Sequence, residues 1–366
     1  MADRTVRPQR GLDKLRPYVP GKPIDEVKRE YGLEDVIKLA SNENPSGSSP
    51  KALEAIAAAL PQLNLYPDGS SHDLRMALAD RFGFTLDQVA IGNGADDLIL
   101  QLSMAFLEDG DEVVVSRSSF GMYDIYVHAM RAVLIKTPLA PGYRIDLDAA
   151  TDAITDRTKI VYVCNPNNPT GTISTAAELD RLLARLPGHV LCVVDEAYVE
   201  MVDSNEYPDA LAIVRDGRPN LLVLRTFSKV YGMAGIRLGY GFGHTEVVGA
   251  LAKVRAAFTV NRLAQAAGIA ALDDDAFVRE SVEMNRQGRQ QLCAAFDRLG
   301  LEYAESHTNF VLVKIGPAAL DVMEGLLRRG IIVRPMTGYE LPEFLRISIG
   351  TSEQNERLIG ALETLL

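Results

Sequence analysis

Seven short runs of aliphatic and β-branched residues recur through the middle of the chain: Val89-Ala90-Ile91, Glu112 to Val115, Ala132 to Ile135, Ile160 to Cys164, Val190 to Val194, Leu221 to Leu224 and Leu238 to Phe242. Stretches of helical period, such as Asp97 to Leu107 and Ala176 to Leu186, lie between them. A strand that is apolar on both faces has to be covered on both, so this alternation predicts a mostly parallel sheet between two helical layers. The expected unit is a three-layer α/β domain over residues 45–265. After Asp273-Asp274-Asp275 the pattern changes to a long amphipathic helix, followed by Phe310-Val311-Leu312-Val313, Ile331-Ile332-Val333 and a strand from Phe344 to Ile349. A last helix is expected from Thr351, whose spacing to Gln354 fits a capping box. Residues 266–366 therefore read as a smaller α+β domain. Residues 1–44 read as an N-terminal arm and a segment of that smaller domain, because the first 35 or so are basic and punctuated by Pro8, Pro17, Pro20 and Pro23.

Composition narrows the function classes. A formal net charge of -11 argues against a nucleic-acid binder that works by neutralising phosphates. No run reaches the roughly 18 apolar residues of a membrane helix, and Asp3, Arg4, Arg7 and Arg10 leave no room for the apolar core of a signal peptide. Cys164, Cys192 and Cys293 are odd in number and widely spaced, which favours free thiols and a reducing, cytoplasmic setting. The histidines 72, 128, 189, 244 and 307 are scattered without ligand spacing, so no metal site is expected.

Four motifs carry the chemistry. Lys229, in Arg225-Thr226-Phe227-Ser228-Lys229, follows an apolar run, sits among hydroxyls and stands eight positions before Arg237. That setting fits an amine condensing with an aldehyde while its neighbours hold an anion, as in a Schiff base with pyridoxal phosphate. It also fits a surface lysine at a strand end. Gly92-Asn93-Gly94-Ala95-Asp96-Asp97 opens a helix, whose free N–H groups at Ala95 and Asp96 suit a phosphate, although glycine turns of this kind are common connectors. Two Asn-Pro steps in Asn165-Pro166-Asn167-Asn168-Pro169-Thr170-Gly171 turn the chain sharply past a buried strand, as a plain turn or as a platform for an asparagine amide. Asp195 ends an apolar strand, where a carboxylate stays charged only beside a partner such as a protonated pyridine nitrogen; a helix N-cap or a metal ligand are the alternatives.

In this order the motifs resemble the fold-type I pyridoxal-phosphate aminotransferases over nearly the whole chain. Asn42-Glu43-Asn44-Pro45, Tyr66-Pro67-Asp68-Gly69, Phe120-Gly121-Met122-Tyr123, Arg334 and Arg346 are similar to the histidinol-phosphate aminotransferase branch. The resemblance implies that Lys229 holds the cofactor and shuttles the proton, Asp195 pairs with the ring nitrogen, and Asn168 and Tyr198 bond the phenolic oxygen. Phe120 would stack on the ring where relatives often carry tyrosine. Ala95, Asp96, Thr226, Ser228 and Arg237 would hold the cofactor phosphate, joined by Tyr66 from a neighbouring subunit, which implies a homodimer. Ala95 replaces a hydroxyl often found in relatives, and Leu65 an arginine. Arg346 would grip the α-carboxylate of the amino-acid partner, and Arg334, with Tyr18 and Asn42 as neighbours, the substrate phosphate. Tyr123 and Tyr339 read as core more readily than pocket. The implied reaction converts histidinol phosphate and 2-oxoglutarate to imidazole-acetol phosphate and glutamate. Rivals on the same scaffold are an aromatic amino-acid aminotransferase and a threonine-phosphate decarboxylase. A transcription regulator is disfavoured by the absence of an added helix-turn-helix segment.

Overall fold

The structure is a computed structural model that describes residues 6–15, 17 and 21–366. Seven strands form the main sheet: β1 (Val89–Gly92), β2 (Glu112–Ser116), β3 (Val133–Thr137), β4 (Thr158–Cys164), β5 (Leu191–Asp195), β6 (Leu221–Thr226) and β7 (Gly239–Gly243). Their spatial order is β1-β7-β6-β5-β4-β2-β3. Only β7 runs antiparallel, to both β1 and β6, and the remaining pairs are parallel. The mostly parallel sheet expected from the two-sided apolar runs is thus present. The strands β2, β5 and β7 are buried along their whole length, as a sheet covered on both faces requires.

This topology brings the chemistry to one edge. The carboxyl ends of β4, β5 and β6 lie side by side, with Cys164 in register with Asp195 and Asp195 with Leu224, and the end of β1 reaches the same edge across the start of β7, where Gly239 pairs with both Gly92 and Thr226. Ligands collect at this edge of open α/β sheets because the following turns and helix N-termini face it. The helix after β1 spans Ala95–Phe106, two residues earlier than its apolar period suggests, because Gly94 at φ +90° serves as its N-cap. The helix Ala176–Arg185 begins at a complete capping box between Thr175 and Glu178.

A second hydrophobic cluster lies beyond the main sheet. Leu292, Ala295 and Phe296 of the helix Asp275–Arg298 pack there with Val311, Leu345, Ile347 and Leu358. Its sheet comprises β8 (Phe310–Lys314), β9 (Arg334–Pro335) and β10 (Phe344–Ser348), with β10 central and antiparallel to both neighbours. The closing helix Ser352–Leu365 carries the Thr351–Gln354 capping box read from the sequence. The early segment joins this part of the molecule, since Ile37–Lys38 pairs in parallel with Ile331–Ile332. It is less peripheral than its proline content suggests: the helix Ile24–Tyr31 buries Val27 completely against Val36, Ala40, Leu327 and Ile332. The three cysteines are free thiols, and burial pushes those of Cys164 and Cys192 up to about 12.

Candidate active site

A cavity of about 290 Å³ opens at the carboxyl edge of the main sheet, between it and the small sheet. Thirteen of the fifteen residues singled out by sequence line it; Tyr66 does not, and Tyr18 is not among the described residues.

At one end the geometry suits an anion. Gly94 offers no side chain to cap the helix Ala95–Phe106, so the first-turn N–H groups at Ala95 and Asp96 are left for a ligand. Space is so tight here that a Cβ on Gly94 would sit 2.4 Å from Arg237 Nη2, and one on Gly239 would sit 2.1 Å from the Ala95 nitrogen. The two glycines let guanidinium, helix terminus and strand β7 converge. Arg237 Nη1 lies 3.5 Å from Ser228 Oγ, and Thr226 lines the same wall. Asp96 also brings a carboxylate, whose Oδ2 accepts a 3.0 Å bond from Tyr126, and whose pKa burial raises. The spacing of motifs gave no sign of that Tyr126 contact.

The other end holds a buried acid. Asp195 is 3% exposed. Burial raises its carboxyl to about 6, against the lowering effect of the Tyr123 hydroxyl, which donates to Oδ2 at 2.8 Å, and of the Ala197 N–H, at 3.2 Å from Oδ1. Tyr123 is fully buried and stacked on Tyr162 at 4.3 Å, so it is core as read from the sequence, but its hydroxyl belongs to the site. Phe120 lines the cavity and meets Tyr123 edge-on.

Between the two ends stands Lys229. Burial first, then the positive charges of Arg346 and Arg237, lower its ammonium to about 8, toward the neutral amine. Its Nζ lies 3.4 Å from the Asn42 carbonyl and 5.4 Å above the Tyr198 ring. Asn168 follows a cis peptide pattern shared with Asn165, each preceding its proline in cis. The Asn168 amide oxygen accepts from Arg346 Nη1 at 2.5 Å, which leaves the Nδ2 donor for a ligand oxygen.

Comparison with known proteins settles the family. The profile "Aminotransferase class I and II" matches residues 34–362. The chain belongs to the class I and II aminotransferases. It is 47% identical over 352 residues to a histidinol-phosphate aminotransferase of Moorella thermoacetica, covering 96% of this chain and 91% of that one. It is 45% identical over 361 residues to the enzyme of the same name from Brevibacillus brevis, covering 99% of both. The crystal structure of histidinol-phosphate aminotransferase from Sinorhizobium meliloti in complex with pyridoxal-5'-phosphate superposes with a TM-score of 0.89 at 30% identity and 99% coverage of both chains. That fold-type I likeness agrees with the α/β architecture described above.

The remaining predicted residues of this aminotransferase are placed as follows. Arg334 and Arg346 are cross-strand partners on β9 and β10, which brings two guanidinium groups to one side of the cavity. Arg346 is 7% exposed, donates to the Ala40 carbonyl at 2.8 Å and lies over the Phe310 ring. Arg334 and Tyr339 also line an adjoining recess of about 320 Å³, so Tyr339, read from the sequence as core, faces both spaces. Asn42 lines the cavity, but its amide is committed to Tyr198 and Ser348. Tyr66 is 79% exposed and stacks on Phe258 at 4.6 Å, away from its own chain's cavity. Tyr18 lies outside the described residues. Among the described residues no group of three or more His, Cys, Asp or Glu is arranged to hold a metal, and no helix is long and apolar enough to cross a membrane.

Proposed function

We propose that this aminotransferase transfers the amino group of histidinol phosphate to 2-oxoglutarate, giving imidazole-acetol phosphate and glutamate, as a cytoplasmic homodimer that uses pyridoxal phosphate. The observation that carries the reading is one cavity holding a low-pKa lysine, a buried aspartate and an uncapped helix N-terminus. These residues fit the cofactor: an anion cup at one end, a buried acid in need of a cationic partner at the other, and an amine between them. When bound, pyridoxal phosphate supplies an aldehyde for covalent capture of amines and a ring that takes up electrons.

The chain's own residues do the rest. Ala95, Asp96, Thr226, Ser228 and Arg237 would hold the cofactor phosphate, and Phe120 would pack against its ring. Asp195 holds the proton on the ring nitrogen; Tyr123 keeps it ionised by donating to Oδ2. Asn168 and Tyr198 orient the phenolic oxygen. Lys229 would anchor the cofactor and, as a neutral amine, would take the proton from the substrate α-carbon. Arg346 takes the α-carboxylate of glutamate or 2-oxoglutarate, and Arg334 the phosphate of histidinol phosphate. Because one site serves two substrates in turn, the first product leaves before the second substrate enters, and kinetics are ping-pong.

The test is kcat/KM for histidinol phosphate against phenylalanine, tyrosine and aspartate, each with 2-oxoglutarate. Histidinol phosphate should lead by at least about tenfold, roughly 1.4 kcal/mol of differential transition-state binding. A lead by phenylalanine or tyrosine would move the assignment to an aromatic amino-acid aminotransferase.

A further inference from the structure

Asn42 stands at φ +55°, in the left-handed region that few residues with side chains enter and that asparagine tolerates better than most. It is 1% exposed, and all its polar groups are engaged. Its N–H donates to Ser348 Oγ at 2.9 Å, and the Ser348 hydroxyl donates back to Asn42 Oδ1 at 2.9 Å. Asn309 Nδ2 donates to the Asn42 carbonyl at 2.9 Å, the same carbonyl that lies 3.4 Å from Lys229 Nζ. Asn42 Nδ2 donates to the Tyr198 hydroxyl at 2.9 Å.

The amide stands with Oδ1 toward Ser348, whose hydroxyl donates to it while its oxygen accepts the Asn42 N–H, and with Nδ2 turned to Tyr198. The Tyr198 oxygen therefore receives a hydrogen bond from within the protein, and its own proton is left to be donated on the cavity side. The ring cannot swing away, being 3% exposed and held edge-on against Phe310.

We propose that Asn42 is a positioning residue: locked by Ser348 and Asn309, it fixes Tyr198 as a hydrogen-bond donor to the cofactor's phenolic oxygen and gives the resting Lys229 ammonium a carbonyl to sit on. This rests on the cofactor reading above. It departs from the expectation that Asn42 contacts substrate, since its side-chain nitrogen is engaged by Tyr198 and its oxygen by Ser348. Ser348 ends β10 and Asn309 precedes β8, so the small sheet, which carries both substrate arginines, also sets the polarity of Tyr198. The charged or titrating groups around Tyr198 are Arg346, Cys164, Asp195 and Lys229, and the variants below alter none of them.

The experiment is a pH titration of the visible absorption band of the cofactor-loaded enzyme. Its midpoint reports how readily the cofactor-bound Lys229 nitrogen keeps its proton. A hydrogen bond donated to the neighbouring ring oxygen withdraws electron density from that nitrogen, so losing the bond raises the midpoint. Asn42→Gly, which suits the positive φ, should raise it by about half a unit or more. Tyr198→Phe should raise it further, and the double variant should match Tyr198→Phe alone, because Asn42 acts through that hydroxyl. Ser348→Ala should fall between the parent and Asn42→Gly, and it carries the test should Asn42→Gly fail to fold. An unmoved midpoint in Asn42→Gly or, in its place, Ser348→Ala would overturn the proposal, as would shifts that add in full in the double variant. A parent enzyme with no visible band would instead remove the cofactor reading itself, so the two failures are distinct.

Discussion

Asp195 is placed where function and stability oppose each other. Burial raises its folded-state carboxyl to about 6 from the ordinary 3.8, so between those values the folded chain binds more protons than the unfolded one. Stability of the cofactor-free protein therefore falls as pH rises through that window, by up to about 3 kcal/mol from this group. Asp195→Asn keeps an acceptor for Tyr123 and removes the buried charge. The cofactor-free variant should melt above the parent at pH 8, with the gap closing toward pH 4, while transamination is lost; a lower melting temperature at pH 8 would contradict this. Lys229 acts in the opposite part of the scale. Its ammonium is lowered from 10.5 to about 8, so the unfolded chain binds more protons between those values, and stability from this group rises with pH there.

At the scale of elements, the meeting of β7 with the helix Ala95–Phe106 builds the anion cup, and Gly239 is its tightest point. A methyl group there would lie 2.1 Å from the Ala95 nitrogen, so Gly239→Ala must push the helix terminus off its position. Such overpacking costs on the order of 1–3 kcal/mol. Cofactor Kd should weaken by roughly tenfold or more with the secondary structure intact by circular dichroism; an unchanged Kd would show that this terminus does not hold the phosphate. The strands and the closing helix were legible from sequence because two-sided apolar runs and the Thr351–Gln354 box are local signals. The motifs around Ala95, Asn168, Asp195 and Lys229 were legible because each lies at or just past the carboxyl end of a strand, where the chain must turn at the ligand edge. Tyr123 and Ser348 were not. Their partners Asp195 and Asn42 lie 72 and 306 residues away, and a buried tyrosine or a strand serine carries no local mark of such a bond.

For the whole molecule, the proposed homodimer turns on Tyr66. It is exposed, stacked on Phe258 and absent from its own cavity, among further exposed apolar side chains at Leu60, Leu63 and Leu65. In the proposed homodimer a partner chain would cover this surface and Tyr66 would complete that chain's cavity. Tyr66→Ala and Lys229→Ala homodimers should each be impaired. Mixed and allowed to exchange, they should regain activity, up to about a quarter of the parent, because one site in each hybrid has both residues intact. No recovery despite proven exchange would place Tyr66 outside the active site.

The central claim is that Lys229 is the amine that holds the cofactor. Incubation with pyridoxal phosphate, reduction with borohydride and peptide mass mapping test it most directly. The account predicts one reduced pyridoxyl adduct, on Lys229; an adduct on another lysine, or none at all, would contradict it.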